Sequence, residues 1–379
     1  MDNCGVESCL DKSSHIRLPG FLLSFSDGQI GLKRPQPRIH KPIAEQLPDG
    51  DDSVSTGRAM QPQHPACHRV RILLQLSSVC LCETFVYAFR LKGRLLPFPL
   101  QLRGDDLTTA INTALELGYR YYDCAHLYAN EAEIRDHLGA CIHSGRIARE
   151  DLFITSKLWN TFHRPELVRT ACETSIKRLQ VEYLDLYLIH WPVPYQPGDV
   201  MVPRDAAGNT QFDEVDLLDT WKAMEDLVAL GLCRHIGVSN FNTNQLERIL
   251  SNCRIPPAML QIESNATFLN QPLIDFAHSR GIPVTAYYAL GCPYLHFKRG
   301  ISPLMEQPLI LELAKKYGKT PAQIALRHGL QRGLCVIFKS KTPARLAENL
   351  QVFDFELSKE DMRRLEELGR GTRMLKGAA

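Results

Sequence analysis

YLDLYLIHW (183–191), DLLDTWKAMEDLVALGL (216–232) and CRHIGVSN (233–240) set a short apolar run, an amphipathic segment and a second apolar run in succession. The middle segment places Leu217, Leu218, Trp221, Met224, Leu227 and Val228 on one helical face, and such a face packs on a sheet. The flanking runs are too short for helices and read as buried strands. Strand, helix, strand in this order is the unit of a parallel sheet.

Working outward, the same alternation recurs from Asp105 onward. Further strand candidates are YRYYDCA (119–125), LFITSKLW (152–159), PAMLQIES (257–264), PVTAYYALG (283–291) and LCVIFKS (334–340), which makes seven in all. Thr320-Pro321 and Thr342-Pro343 each read as a helix start with proline at the first helical position. Periodicity alone leaves a doubly wound open sheet and a closed eight-stranded barrel both open. No strand is followed by GxGxxG opening a helix, which favours the barrel. In a barrel, chemistry gathers at the C-terminal strand ends. Asp123, Lys157, His190, Ser239 with Asn240, Gln261 and Tyr287 lie at those ends in six successive candidates. Any one of them is accounted for as a polar residue facing solvent, but the complementary set is not.

Composition narrows the function. The chain has 379 residues, 44% of them hydrophobic, enough to fill a sizeable core. Its 44 Lys and Arg nearly cancel 42 Asp and Glu, so no overall field favours nucleic acid or an anionic membrane. Twelve scattered cysteines without a CxxC pair fit reduced thiols in a cytoplasmic protein. The opening MDNCGVESCLDK lacks the positive start and apolar stretch of a secretory signal. The apolar run Ile72 to Phe89 is interrupted by Gln75, Ser77, Ser78 and Glu83. A charge near mid-span costs about 2.5–3.5 kcal/mol on insertion scales, so no membrane span is expected.

Residues 1–104 differ in character from 105–379. RPQPRIHKPIAEQLPDGDDS (34–53) has too few apolar residues to pack, and the region reads as a largely disordered extension. His64, Cys67, His68, Cys80 and Cys82 match no zinc spacing, so no metal is expected. FSDGQIG (25–31) reads as an Asp-Gly hairpin. The first barrel strand is atypical or missing, and LLPFPLQL (95–102) is the substitute, although its two prolines remove ladder donors.

GYRYYDCAHLYANE (118–131), TSKLW (155–159), LIHWP (188–192), IGVSNF (236–241), QIE (261–263) and KSKTPARLAEN (339–349) together resemble the aldo-keto reductases, from about Asp105 to about Gly369. The resemblance implies a (β/α)8 barrel that binds NADPH without a Rossmann domain. It implies Asp123, Tyr128, Lys157 and His190 as the catalytic group. Ser239, Asn240 and Gln261 would hold the nicotinamide carboxamide beside Asp123, and the ring of Tyr287 would stack on the nicotinamide. Lys339, Ser340 and Arg345 would hold the 2′-phosphate, a dianion site that selects NADPH over NADH, while Glu348 and Asn349 would meet the adenine amino group. Trp159 and Trp191 would line the substrate pocket with Tyr128 and His190.

The catalytic set also makes physical sense. A carbonyl accepting hydride gathers negative charge on oxygen and needs a proton donor there. Tyr128 is the natural donor; the Lys157 ammonium favours its phenolate, Asp123 keeps that lysine charged, and His190 orients the carbonyl. Singly, these residues have plain structural readings: a rim aromatic, an ion pair, a core histidine. The expected function is reduction of aldehydes or ketones, aldoses among them, by a monomer acting on a small carbonyl substrate. The rival is a barrel that binds cofactor or a protein partner without turnover. Against the family pattern stand Tyr288 for a small hydroxyl residue, Phe338 for proline, Arg135 for glycine, the absence of a Gly- and Thr-containing loop before Asp105, and a short tail, RGTRMLKGAA (370–379).

Overall fold

The computed structural model describes residues 102–293, 300, 302–369 and 373, together with the backbone of six short strands before residue 100. The chain divides into two units, Met1–Met60 and Gln61–Ala379. In the first, Phe21–Ser26 pairs antiparallel with both His15–Leu18 and Gln29–Lys33, with Ser26 opposite Gln29, so a hairpin is present where FSDGQIG (25–31) places it.

The second unit holds a closed parallel barrel. Its strands are β1 (Val79–Cys82), β2 (Tyr121–Asp123), β3 (Phe153–Leu158), β4 (Leu184–Ile189), β5 (Cys233–Ser239), β6 (Leu260–Glu263), β7 (Val284–Tyr287) and β8 (Cys335–Phe338). Each pairs with its neighbours in chain order, and β1 closes the ring by pairing with β8 (Val79 opposite Val336) and β2 (Cys82 opposite Asp123). All seven strands expected between residues 119 and 340 are present.

The first strand corrects the sequence reading. LLPFPLQL (95–102) is not the strand that closes the ring: that place is taken by Val79–Cys82, while Leu95 belongs to Arg94–Leu95, which pairs antiparallel with Arg90–Leu91, and residues 96–101 lie outside the described residues. Two proline nitrogens carry no hydrogen to donate, whereas VCLC (79–82) can pair on both edges. It lies within the apolar run Ile72 to Phe89. Among the described residues, no helix is long and apolar enough to cross a membrane. Arg34–Ser53 and the His64, Cys67, His68 cluster lie outside the described residues.

Strand alternation sorts the core into an inner and an outer layer. Inside the barrel lie Tyr121, Phe153, Leu186, Leu188, Cys335 and Ile337. Between strands and helices lie Tyr122, Ile154, Tyr187, Ile189, Val336 and Phe338. The helix expected over 216–232 spans Leu217–Ala229, with the Asp216 carboxylate accepting the Leu218 N–H as its cap. Its Trp221, Met224 and Leu227 are buried, each contributing about 1.5–3 kcal/mol. Thr320 caps Pro321–Gln331 with Gln323 completing a capping box, while Thr342 precedes Pro343–Leu350 without a side-chain cap. Gly237 on β5 is required by close approach: a Cβ there would lie 2.6 Å from the Met259 carbonyl oxygen.

Candidate active site

Asp123 is the last residue of β2, Lys157 the fifth of six in β3, and His190 directly follows β4. Alternation turns Lys157 into the barrel. Tyr128 ends the short turn His126–Tyr128 that leaves β2, and Ala129 then reverses the chain at φ 53°. All four expected catalytic residues are thus brought to one end of the barrel.

Lys157 Nζ donates to Asp123 Oδ2 at 2.5 Å, to the Cys124 carbonyl at 3.0 Å and to Tyr128 Oη at 3.3 Å. Its three protons are therefore all engaged, as a fully buried ammonium requires. Asp123 Oδ1 accepts from Gln261 Nε2 at 2.7 Å. The His190 ring stands edge-on to Tyr128, at 5.9 Å between centroids, and to Trp159, at 5.3 Å. Burial, reinforced by the Lys157 charge and by His126, pushes its pKa well below the usual histidine range. The imidazole is consequently neutral at physiological pH, with one ring nitrogen able to donate.

A second group adjoins the first. Asn240, just past β5 and at φ 66°, donates through Nδ2 to the His190 carbonyl at 2.9 Å and to Ser239 Oγ at 3.1 Å. Asparagine tolerates this left-handed conformation, which aims its amide into the barrel. Tyr287 Oη donates to Asn240 Oδ1 at 2.6 Å. Gln261 and Ser239 sit opposite each other in the β5–β6 ladder. Gln261 therefore joins this group to Asp123, and its own Oε1 is buried with no hydrogen-bond partner among the described residues.

The remaining expected residues form a separate cluster around the end of β8 and the helix Pro343–Leu350. Lys339 and Arg345 are exposed, while Ser340 is buried and its Oγ accepts the Thr342 N–H at 3.3 Å. Glu348 is half-buried; Asn349 is buried, and its Oδ1 likewise has no partner among the described residues. A helix start with backbone N–H groups and nearby cations is suited to an anion.

Trp159 and Trp191 are both buried. Trp159 Nε1 donates to the Met201 carbonyl at 2.6 Å, and its ring meets Tyr195 edge-on. Tyr195 and Met201, in the long connection after β4, had no sequence signal. Nor had Arg373, whose Nη2 donates to Asn240 Oδ1 at 2.5 Å. Tyr288 adopts φ 54°, unusual for a bulky side chain, with its ring edge-on to Tyr287. A cavity of about 700 Å³ opens at the opposite end of the barrel, lined by Pro283, Val284, Gly333 and Leu334 among others, and includes none of the expected site residues.

A sequence model of the Aldo/keto reductase family matches residues 100–370. The chain is 47% identical over 268 residues to aldo-keto reductase family 1 member A1 of Gallus gallus, covering 70% of this chain and 82% of that one. It is 44% identical over 288 residues to estradiol 17 beta-dehydrogenase 5 of Mus musculus, covering 74% and 88%. The solved aldose reductase of Schistosoma japonicum superposes with a TM-score of 0.69 at 46% identity, covering 79% of this chain and 90% of that one. Fold, strand-end chemistry and these similarities converge: the chain belongs to the aldo/keto reductase family and is an oxidoreductase of carbonyl compounds.

Proposed function

We propose that this chain reduces aldehydes and ketones with NADPH, with Tyr128 as the general acid. The observation that carries the reading is the buried Lys157 ammonium, held between Asp123 Oδ2 and Tyr128 Oη. It lies where a phenol giving up its proton would gather negative charge, so it stabilises that charge at the moment it forms. Asp123 keeps the ammonium charged and fixed. Neutral His190 donates to the substrate oxygen and orients the carbonyl toward Tyr128 Oη. Trp159 and Trp191 supply flat apolar walls for the substrate.

The residues present fit a nicotinamide dinucleotide. The free Oε1 of Gln261 is an acceptor suited to a carboxamide amino group, and the free Oδ1 of Asn349 to the adenine amino group, with Glu348 beside it. Ser239, Asn240 and Tyr287 would complete the nicotinamide site; Lys339, Ser340 and Arg345 would bind the 2′-phosphate. Bound there, NADPH supplies the hydride. The thiols of Cys141, Cys172, Cys233 and Cys253 are free of disulfides, in keeping with a cytoplasmic compartment, and the function needs only a monomer.

Tyr128→Phe tests the role. Loss of NADPH oxidation with an aldehyde is expected, by roughly 10²–10⁴-fold, the usual worth of a positioned general acid, while NADPH fluorescence still titrates. A variant as active as the parent overturns it. Binding without turnover in the parent would instead support the rival, a non-catalytic barrel.

A further inference from the structure

Arg373 reaches into the residues assigned above to nicotinamide. Its Nη2 donates to Asn240 Oδ1 at 2.5 Å and lies 3.3 Å from Tyr287 Oη. The guanidinium carbon is 5.4 Å from the Trp191 ring centroid, and Nε is 4.0 Å from Oε2 of the fully buried Glu263. The cation therefore rests on an aromatic face, faces a carboxylate and donates to an amide.

These contacts collide with cofactor binding. Asn240 Oδ1 already accepts from Tyr287 Oη and from Arg373, so both of its lone pairs are engaged. The Tyr287 ring is fully buried, with no face open for stacking. A nicotinamide carboxamide could not engage Asn240 Oδ1 until the guanidinium withdrew. The contacts described for Arg373 are with Asn240, Tyr287, Trp191 and Glu263, on the nicotinamide side, whereas Lys339, Ser340 and Arg345 stand around the end of β8 and the helix that follows it.

We propose that Arg373 is an intramolecular competitor for the nicotinamide half of the dinucleotide, so that the 2′-phosphate docks independently and the nicotinamide enters only as Arg373 leaves. This rests on the cofactor reading given under Proposed function. Occupancy of the site by the protein's own side chain lowers apparent cofactor affinity by the fraction of time the site is competent.

The test is titration of the full chain with NADPH and, separately, with 2′,5′-ADP, which has the phosphate end but no nicotinamide. Arg373→Met keeps an apolar stem over Trp191 and removes the donors; Arg373→Lys keeps the charge. The Met variant is expected to bind NADPH about tenfold tighter, the gain for a site competent about one-tenth of the time. Its 2′,5′-ADP affinity should match the parent's, with the Lys variant between parent and Met for NADPH. Unchanged or weaker NADPH binding in Arg373→Met, with 2′,5′-ADP intact, overturns the proposal alone. Loss of both ligands in the variant only makes Arg373 a structural residue and also overturns it. Failure of both ligands to bind the parent overturns the cofactor reading itself.

Discussion

His328 offers a direct test of the packing between barrel and helices. It lies on the helix Pro321–Gln331, fully buried, and neither ring nitrogen has a hydrogen-bond partner among the described residues. Burial, with help from the Arg332 charge, holds its pKa down to about 3. The unfolded histidine titrates near 6.5, so above that pH neither state is protonated and the full stability is present. As pH falls below 6.5 the unfolded chain takes a proton that the folded chain refuses, and stability is lost until the folded pKa is reached. Each pH unit in that window is worth about 1.36 kcal/mol per group, so between pH 7.5 and 5.0 His328 should remove about 2 kcal/mol. His126 and His163, each pushed down to about 4 mainly by burial, act in the same direction. Glu131 and Asp185, whose carboxyls burial pushes up, act in the opposite one.

Because of these other titrations, the informative quantity is the difference between the parent and His328→Leu, in which the shared titrations cancel. Urea unfolding at pH 7.5, 6.0 and 5.0, followed by circular dichroism, gives that difference. At pH 7.5 leucine should be neutral or stabilising, since it replaces a polar group without partners. At pH 5.0 the variant should have gained about 2 kcal/mol on the parent. A difference that stays constant across the three pH values would refute the argument.

Two further substitutions address how the site is held. Gly237→Ala puts a Cβ 2.6 Å from the Met259 carbonyl oxygen and 2.8 Å from Leu188 Cδ2; thermal denaturation should show a loss of about 1–3 kcal/mol, because backbone cannot yield as a side-chain tip can. Arg103 donates to the Ala129 carbonyl at 3.2 Å and lies 3.5 Å from the Tyr128 carbonyl, while Glu133 pairs with it. Arg103→Ala should lower kcat by about three- to tenfold by loosening the turn that aims the phenol, with KM and melting temperature nearly unchanged, since small misplacements at a reacting group are costly.

The barrel was largely legible because its strands are unbroken apolar runs with polar residues at one end, and the catalytic residues stand at those ends. What the pattern misjudged were the limits. PVTAYYALG (283–291) reads as one strand, but pairing stops at Tyr287, where Tyr288 turns the chain at φ 54°. The first strand was placed in the wrong segment because VCLC (79–82) carries neither alternation nor a turn signal, and its partners are assigned only by closure. The pattern also gave no sign that Gln261, read as a cofactor ligand through its amide, would donate from Nε2 to Asp123, 138 positions away in sequence. Arg373 is one cation in a short basic tail, and nothing local marks where it reaches.

Closure by Val79–Cys82 has a consequence for synthesis. Its two neighbours in the ring are Tyr121–Asp123 and Cys335–Phe338, so one edge finds its partner soon after leaving the ribosome and the other waits. At about 5–20 residues per second the wait for the second lasts on the order of 10–50 s. Throughout that interval the nascent barrel is an open sheet with an unpaired apolar strand at its margin, the geometry that recruits other chains. The nascent chain is thus most exposed to aggregation before Cys335–Phe338 is made, and chaperone demand should fall once that last strand docks.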